Sequence, residues 1–354
     1  MTTGLDGIIA AETVLSHVDG TAGRLVLRGL PVEHAAEGLD FEGVTALLWQ
    51  DFHPLGGNGR RLAAAMARAR VGVARRLPLL LPATAGLSAV EALRLMLSSL
   101  ADGSAADDAV TVAAAVPVFV AAHARHLAGL DPVEPDEHLG HAADFIRMLT
   151  GSAADPAKAR ALDTYLVTVS DHGLNASTFA ARIVASTRAG LISSVVAGLC
   201  ALKGPLHGGA PGPVLDMLDA IGTDGAAPAW IGAELAAGRR LMGFGHRIYR
   251  VRDPRAEVLK RALAPLSSPR IRLAEKVEQA AIAALSHHRP GRPLATNVEF
   301  YTALLLDAVG LDRSLFTPVF AMGRVAGWTA HVMEQEATGR LIRPASRYIG
   351  PLAA

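Results

Sequence analysis

One cysteine, Cys200, occurs in 354 residues. That excludes an internal disulfide and suits a reducing compartment. Cys200 falls in an apolar helical stretch, where a small buried hydrophobe is expected and not a nucleophile. Aromatic residues are also scarce at 5%, although hydrophobic residues reach 51%. The core must therefore be built mainly from Ala, Leu and Val, and Ala and Leu favour helix. Net charge is nearly absent at +1, which argues against a nucleic-acid binder or a membrane-surface protein. No Cys/His set has metal-ligand spacing, and neither a fixed-period repeat nor a low-complexity linker occurs. The longest apolar stretch, Ala109 to Ala122, is short for a bilayer span and contains Pro117. No charged leader precedes an apolar run, so no signal peptide is expected. These absences predict a soluble, cytoplasmic protein with no nucleic-acid or membrane partner.

The chain does carry a local excess of positive charge. Between Arg239 and Lys276, eleven Lys and Arg stand against three acids, Asp253, Glu257 and Glu275. A run of this kind is either a solvated helical face or the border of an anion site. The lack of interleaved aromatics argues against single-stranded nucleic acid. At 354 residues the chain exceeds a usual single core, so one large or two closely joined domains are expected.

Helical periodicity begins at Phe41, Val44, Leu47 and Leu48. Ser88 to Glu91 is a capping box that opens a helix to about Leu100. A second helix is predicted from Asp136 to Leu149, closing near Gly151. Asp155-Pro156 supplies a cap and a first-turn proline for a helix to about Val169. Residues 171–177 interrupt the pattern with polar groups. Helices are then predicted at 177–188, 191–202, 213–221, 228–237, 254–265, 270–287, 299–309 and about 315–337. Only the first 35 residues leave room for a short hairpin, so the class is all-α.

The most constrained segment is Lys203-Gly-Pro-Leu-His207-Gly-Gly-Ala210. Pro205 stops the preceding helix, and Gly208 and Gly209 permit close backbone approaches. His207 is thereby held in a fixed direction with space beside it. Arg324 lies in an apolar helix among Val319, Phe320, Val325 and Trp328, where an unpaired charge is costly, so an anionic partner is expected. His123, His126, His138, His141, His287 and His288 read as core or surface histidines.

In register along the chain stand Gly23-Arg-Leu-Val-Leu-Arg-Gly29, His172-Gly-Leu-Asn175-Ala-Ser177, the His207 turn, Gly245-His246 with Asp253-Pro-Arg255, Asn297-Val-Glu299-Phe-Tyr301, and Arg340-Leu-Ile-Arg343-Pro344 with Tyr348-Ile-Gly350. This series resembles the signatures of the citrate synthase family, in its short, dimeric bacterial type. The resemblance implies an all-α fold with a large domain (residues 1–207 and 311–354), a small domain (208–310), and the active site in the cleft between them. It implies condensation of acetyl-CoA with oxaloacetate, a homodimer, and no permanently bound cofactor or metal. It gives His207 the thioester oxygen, Glu299 the role of base, and His246 the ketone. Oxaloacetate falls to His172, His246, Arg255 and Arg324, with Arg343 reaching in from the other subunit. Ser177 and Asn175 lie behind His207. CoA is assigned to Leu241, Met242, Gly243, Phe244 and Gly245, with Arg250 and Arg292 as phosphate candidates.

Two departures stand out. Most of the family has Asp at the position of Glu299. The added methylene shifts a carboxylate by about an ångström unless the backbone compensates, and such a shift costs about 10²-fold in rate. Bacterial members with Asn-Val-Glu-Phe exist, so compensation is expected. Pro211 stands where Asn is usual, which bears on how the loop after His207 meets CoA. Use of propionyl-CoA, as in 2-methylcitrate synthases, stays open, as does a silent dicarboxylate- or CoA-binding homologue. A helical-repeat scaffold fails for want of a repeat.

Overall fold

The computed structural model describes residues 7–208, 211–245, 248–266, 268–288 and 294–351, and helix dominates them. The expected hairpin is a three-stranded antiparallel sheet of β1 (Ser16–Asp19), β2 (Arg24–Leu27) and β3 (Leu30–Pro31), in that spatial order. Ser16 faces Leu27 and Asp19 faces Arg24. Asp19 makes the β1–β2 turn by accepting from the amides of Thr21 and Ala22 at 2.9 and 2.8 Å. Period-two alternation buries Leu25 and Leu27.

Cap chemistry sets several helix starts as the sequence predicts. Ser88 and Glu91 form the capping box of Ala89–Ser98. Asp155 accepts from the amides of Ala157 and Lys158 to open Pro156–Val169. The helix predicted from Asp136 instead spans His141–Thr150. The amide of Asp136 is tied to the Asp144 carboxylate, and Arg70 donates to Leu139 O at 2.7 Å. Those bonds hold 136–140 as a turn. Gly151 closes the helix in the left-handed region, φ 79°.

The apolar stretch around Pro117 forms a longer helix than the sequence suggests, Ala105–Leu127. It is long and apolar enough to cross a membrane, but 72% of its most apolar window is buried inside the protein. It is the central core helix, and Gly59–Ala74 and His141–Thr150 pack on it. Cys200 is exposed, not buried. On Leu191–Leu202 the buried stripe is Leu191, Ile192, Ser194, Val195, Gly198, Leu199 and Leu202, and Cys200 lies off it.

Several helices meet at the candidate site. Phe316–Thr338 is buried along nearly its whole length and runs against the end of Pro156–Val169. Gly323 and Gly327 make that approach possible. A Cβ at Gly323 would stand 2.6 Å from Val169 Cγ2, and one at Gly327 would collide with Ser170 O. The Gly327 amide donates to that carbonyl at 3.1 Å. Helices Pro254–Leu263 and Val298–Val309 pack against each other and against Pro156–Val169.

Candidate active site

His207 sits in a turn closed by two backbone bonds: its own amide donates to Gly204 O, and the Gly208 amide to Leu202 O, both at 2.9 Å. A Cβ at Gly208 would stand 2.5 Å from that Leu202 carbonyl, so glycine is required there. The imidazole Nε2 lies 2.9 Å from Ser177 Oγ. The ring stands edge-on to Phe320, with centroids 6.3 Å apart. Burial, followed by the Arg324 cation, pushes the His207 pKa down to about 4. The ring is therefore neutral at physiological pH.

Ser177 is placed by the N-terminus of Ala176–Ser186. Asn175 caps this helix, its Oδ1 accepting from the amides of Ser177 and Thr178, both at 3.1 Å. Ser177 Oγ also lies 2.8 Å from Asn175 Oδ1 and receives the indole N–H of Trp328 at 3.2 Å.

Arg324 is 1% exposed. Its Nε donates to Val169 O at 2.6 Å and its guanidinium lies 4.9 Å from the Phe320 ring centroid. Among the described residues no carboxylate pairs with it. Burial pulls its pKa down to about 10 against the attraction of Asp171. Asp171 is itself occupied, since it accepts from Ser16 Oγ and lies 3.2 Å from His331 Nε2. A desolvated guanidinium without an acid is an anion site in waiting.

Arg255, also buried, leans on Asp253 through two bonds of 3.0 and 2.9 Å. Burial lowers the Arg255 pKa, but the Asp253 carboxylate more than reverses this and the net direction is up. Asp253 also caps Pro254–Leu263 and accepts the Val298 amide at 3.3 Å. That bond ties the start of Pro254–Leu263 to the start of Val298–Val309.

Glu299 is half-buried in the first turn of Val298–Val309, which Asn297 caps by accepting the Glu299 amide at 3.0 Å. Burial raises its carboxyl to about 7, with Arg255 opposing, Asp253 assisting and Arg324 opposing. The same field reaches the buried Tyr165, whose phenol is raised by burial and by Glu299. His207, Arg324, Arg255 and Glu299 thus share one electrostatic neighbourhood.

His172 joins it through Tyr249. The His172 Nε2 is 3.1 Å from Tyr249 Oη, and Arg255 lies 5.8 Å from the Tyr249 ring centroid. His172 is buried, and the helix cap is Asn175, so it is not itself a capping residue. Sequence reasoning missed Tyr249, Tyr165 and a buried chain behind Asp171. In that chain Arg182 donates to His331 Nδ1 at 2.8 Å, to Gln335 Oε1 at 3.0 Å and to Glu334. Polar residues inside the apolar Phe316–Thr338 pattern were the available signal.

The segment 241–245 is clamped onto 295–297. Gly245 N donates to Ala295 O at 2.8 Å, Asn297 N to Gly243 O at 2.9 Å, and Asn297 Nδ2 to Gly245 O at 2.8 Å. Phe244 forms a bridge with Thr296, Leu241 is buried and Met242 packs on the core. Arg250 is exposed, with its amide bonded to Gly20 O. Arg343 is exposed in the C-terminal tail, lining a cavity with Arg182, Glu12 and Arg340. His246 and Arg292 lie outside the described residues.

The family description "Citrate synthase, C-terminal domain" matches residues 4–345. A citrate synthase of Haloferax volcanii is 38% identical, covering 98% of this chain and 95% of its own. A 2-methylcitrate synthase of Mycobacterium tuberculosis is 36% identical, covering 98% and 90%. Among solved structures, citrate synthase from Thermotoga maritima superposes with a TM-score of 0.88 at 36% identity, covering 100% and 97% of the two chains. The ternary complex of carboxymethyl coenzyme A and oxaloacetate with citrate synthase from Thermoplasma acidophilum gives 0.83 at 27% identity, covering 98% and 96%.

Proposed function

The chain belongs to the citrate synthase family, and on that footing we propose that it condenses acetyl-CoA with oxaloacetate to give citrate and CoA. The observation that carries this reading is a neutral His207 and a raised Glu299 around the buried guanidinium of Arg324. Glu299 takes a proton from the acetyl methyl. The His207 Nδ1–H donates to the thioester oxygen as enolate charge grows there, which offsets the weak acidity of that carbon. The enolate carbon attacks the ketone of oxaloacetate, polarised by His246. Water then cleaves the thioester and CoA leaves. One carboxylate and two imidazoles perform every proton transfer, so we assign no resident cofactor.

His172, Arg255 and Arg324 hold the oxaloacetate carboxylates, and Arg343 of a second copy completes the set in a homodimer. Residues 241–245 receive CoA, with Arg250 and Arg292 for its phosphates. The domain division at residues 207/208 and 310/311 places this cleft between a large and a small domain. Closure of the cleft would exclude water and protect the enolate. A cytoplasmic location accords with such substrates.

The test is CoA release with oxaloacetate and either acetyl-CoA or propionyl-CoA. Release with neither refutes the reading. The 2-methylcitrate synthase relative supports a second one, in which propionyl-CoA is preferred. Space for one methyl decides it, a difference worth only about 1–3 kcal/mol.

Two further results are expected. Since Glu299 must be ionised and its pKa is raised to about 7, kcat/KM falls tenfold per unit as pH drops below that value. His207 contributes no limb until about pH 4. A flat profile between pH 5 and 7 would exclude Glu299 as the base. Mixing an Arg343→Ala chain with a His246→Ala chain should restore up to roughly a quarter of wild-type activity. Half the dimers are then mixed, and each holds one intact site. Mixed dimers without activity would confine Arg343 to its own subunit.

A further inference from the structure

We infer that the β1–β2 hairpin positions the substrate site: Gly20 at its tip seats residues 248–252 so that Tyr249 meets His172. The inference rests on the condensation reading, in which His172 and Arg255 receive oxaloacetate.

The hairpin touches both of the loops concerned. At its base the Ser16 hydroxyl donates to the Asp171 carboxylate and accepts the Gly173 amide at 3.0 Å. The residues on either side of His172 are thus tied to one side chain. Val18, on the same face of β1 as Ser16, packs over Gly173. At the tip, Gly20 O accepts the Arg250 amide at 2.8 Å. Residues 248–252 form neither helix nor strand, so the hairpin supplies the acceptor that regular structure would otherwise give this amide.

Close approach is what requires glycine at the tip. A Cβ at Gly20 would collide with Ile248 O and stand 2.8 Å from Ile248 C, and neither backbone atom can swing aside. Gly20 is not among the glycines with positive φ, so its own backbone would accept alanine. Gly23 adds a second contact, since a Cβ there would stand 2.6 Å from Val251 Cγ2. The tip keeps its shape by itself, because Asp19 accepts the amides of Thr21 and Ala22. Residues 248–252 therefore conform to the hairpin.

The third contact closes a ring. His172 Nε2 lies 3.1 Å from Tyr249 Oη, with ring centroids 5.6 Å apart. Tyr249 stands between Ile248 and Arg250, the two residues that the tip holds, and its ring faces the Arg255 guanidinium at 5.8 Å. Between the loops β1 is a stiff spacer of about 13 Å, four residues at about 3.3 Å each. On the proposed domain division, hairpin and His172 lie on one side of the cleft and residues 248–252 on the other. The tip then sets how closely the two sides approach.

The test combines oxaloacetate titration by calorimetry with hydrogen exchange at the Arg250 amide, free and with oxaloacetate, in full-length protein. Wild type should protect this amide in at least one of the two states. Gly20→Ala should remove the protection and weaken oxaloacetate by up to about tenfold, the worth of one positioned hydrogen bond. Tyr249→Phe should weaken oxaloacetate similarly but keep the protection. Both act through the one His172–Tyr249 contact, so the double variant should bind no more weakly than the weaker single one. Ser16→Ala, at the other end of the hairpin, should weaken binding alone and add nothing to Tyr249→Phe. It decides the matter if Gly20→Ala does not fold. Thr21→Ala, exposed at the tip, should match wild type. Losses that multiply in the double variants overturn the inference. So does an Arg250 amide unprotected in both states, or one that Gly20→Ala leaves protected. If wild type binds no oxaloacetate, the condensation reading falls, and exchange in the free protein still decides whether the tip seats residues 248–252.

Discussion

Glu299→Gln is expected to lower kcat for CoA release by about 10²–10⁴-fold, the usual contribution of a positioned general base, with oxaloacetate affinity near wild type. The substitution keeps the size and the first-turn position of the side chain and removes only the basic oxygen. Asn297 caps Val298–Val309 through the Glu299 amide, which fixes the first turn that carries the side chain. Its raised carboxyl accepts a proton more readily than an exposed one would, and burial is the main cause. In the proposed reaction this base acts on the acyl-CoA and not on the ketoacid, so oxaloacetate binding should be spared. Calorimetric titration of oxaloacetate and a stopped-flow CoA assay separate the two effects. A variant keeping a tenth of wild-type kcat would move the base elsewhere. Glu299→Asp is the companion measurement. If the backbone is set for Glu, the shorter side chain falls short of the methyl group and is slower despite being the commoner family residue. Equal or faster turnover would show that the backbone is not tuned to Glu299.

Two candidate site residues, His207 and Arg324, were singled out by short local signals, and the others were named through the family resemblance. The Gly204-Pro205 stop and the apolar setting of Arg324 are readable within a few residues, whereas the caps at Asn175, Asp253 and Asn297 emerged only from the structure. Tyr249 and the Arg182–His331–Asp171 chain were not readable in the sequence. Their partners lie 77, 149 and 160 positions apart in sequence, and no local pattern encodes such a pairing. Trp328 was read as an apolar neighbour of Arg324, since periodicity reports burial and not where an N–H points. Cys200 shows the same limit from the other side. An apolar segment was taken as buried throughout, although a helix packed on one side leaves one residue in each turn facing water. Around Pro117 the error ran toward caution: a proline deep in an apolar run usually argues against continuous helix. Here close packing along Ala105–Leu127 supports the helix through the missing hydrogen bond.

The second large effect is expected at Arg324. Arg324→Met should weaken oxaloacetate by about 10²–10³-fold, within the range of about 2–5 kcal/mol for truncating one partner of a buried charged pair. It should not lower the unliganded thermal midpoint. The reasoning turns on the same observation twice. The guanidinium is 1% exposed, and its described hydrogen bond is to Val169 O. It therefore bears a desolvation cost in the empty protein that a dicarboxylate would offset on binding. Methionine fills similar volume without the charge, so the empty fold loses one hydrogen bond and sheds that cost. Arg324→Lys should also bind poorly, because an ammonium lacks the planar fork that meets a carboxylate with two parallel bonds. Scanning calorimetry with and without oxaloacetate reads both halves. Wild type should gain stability with ligand, while Arg324→Met should gain little. Undiminished oxaloacetate binding in Arg324→Met would remove Arg324 from the substrate site. A sharply lower unliganded midpoint would make it a structural charge.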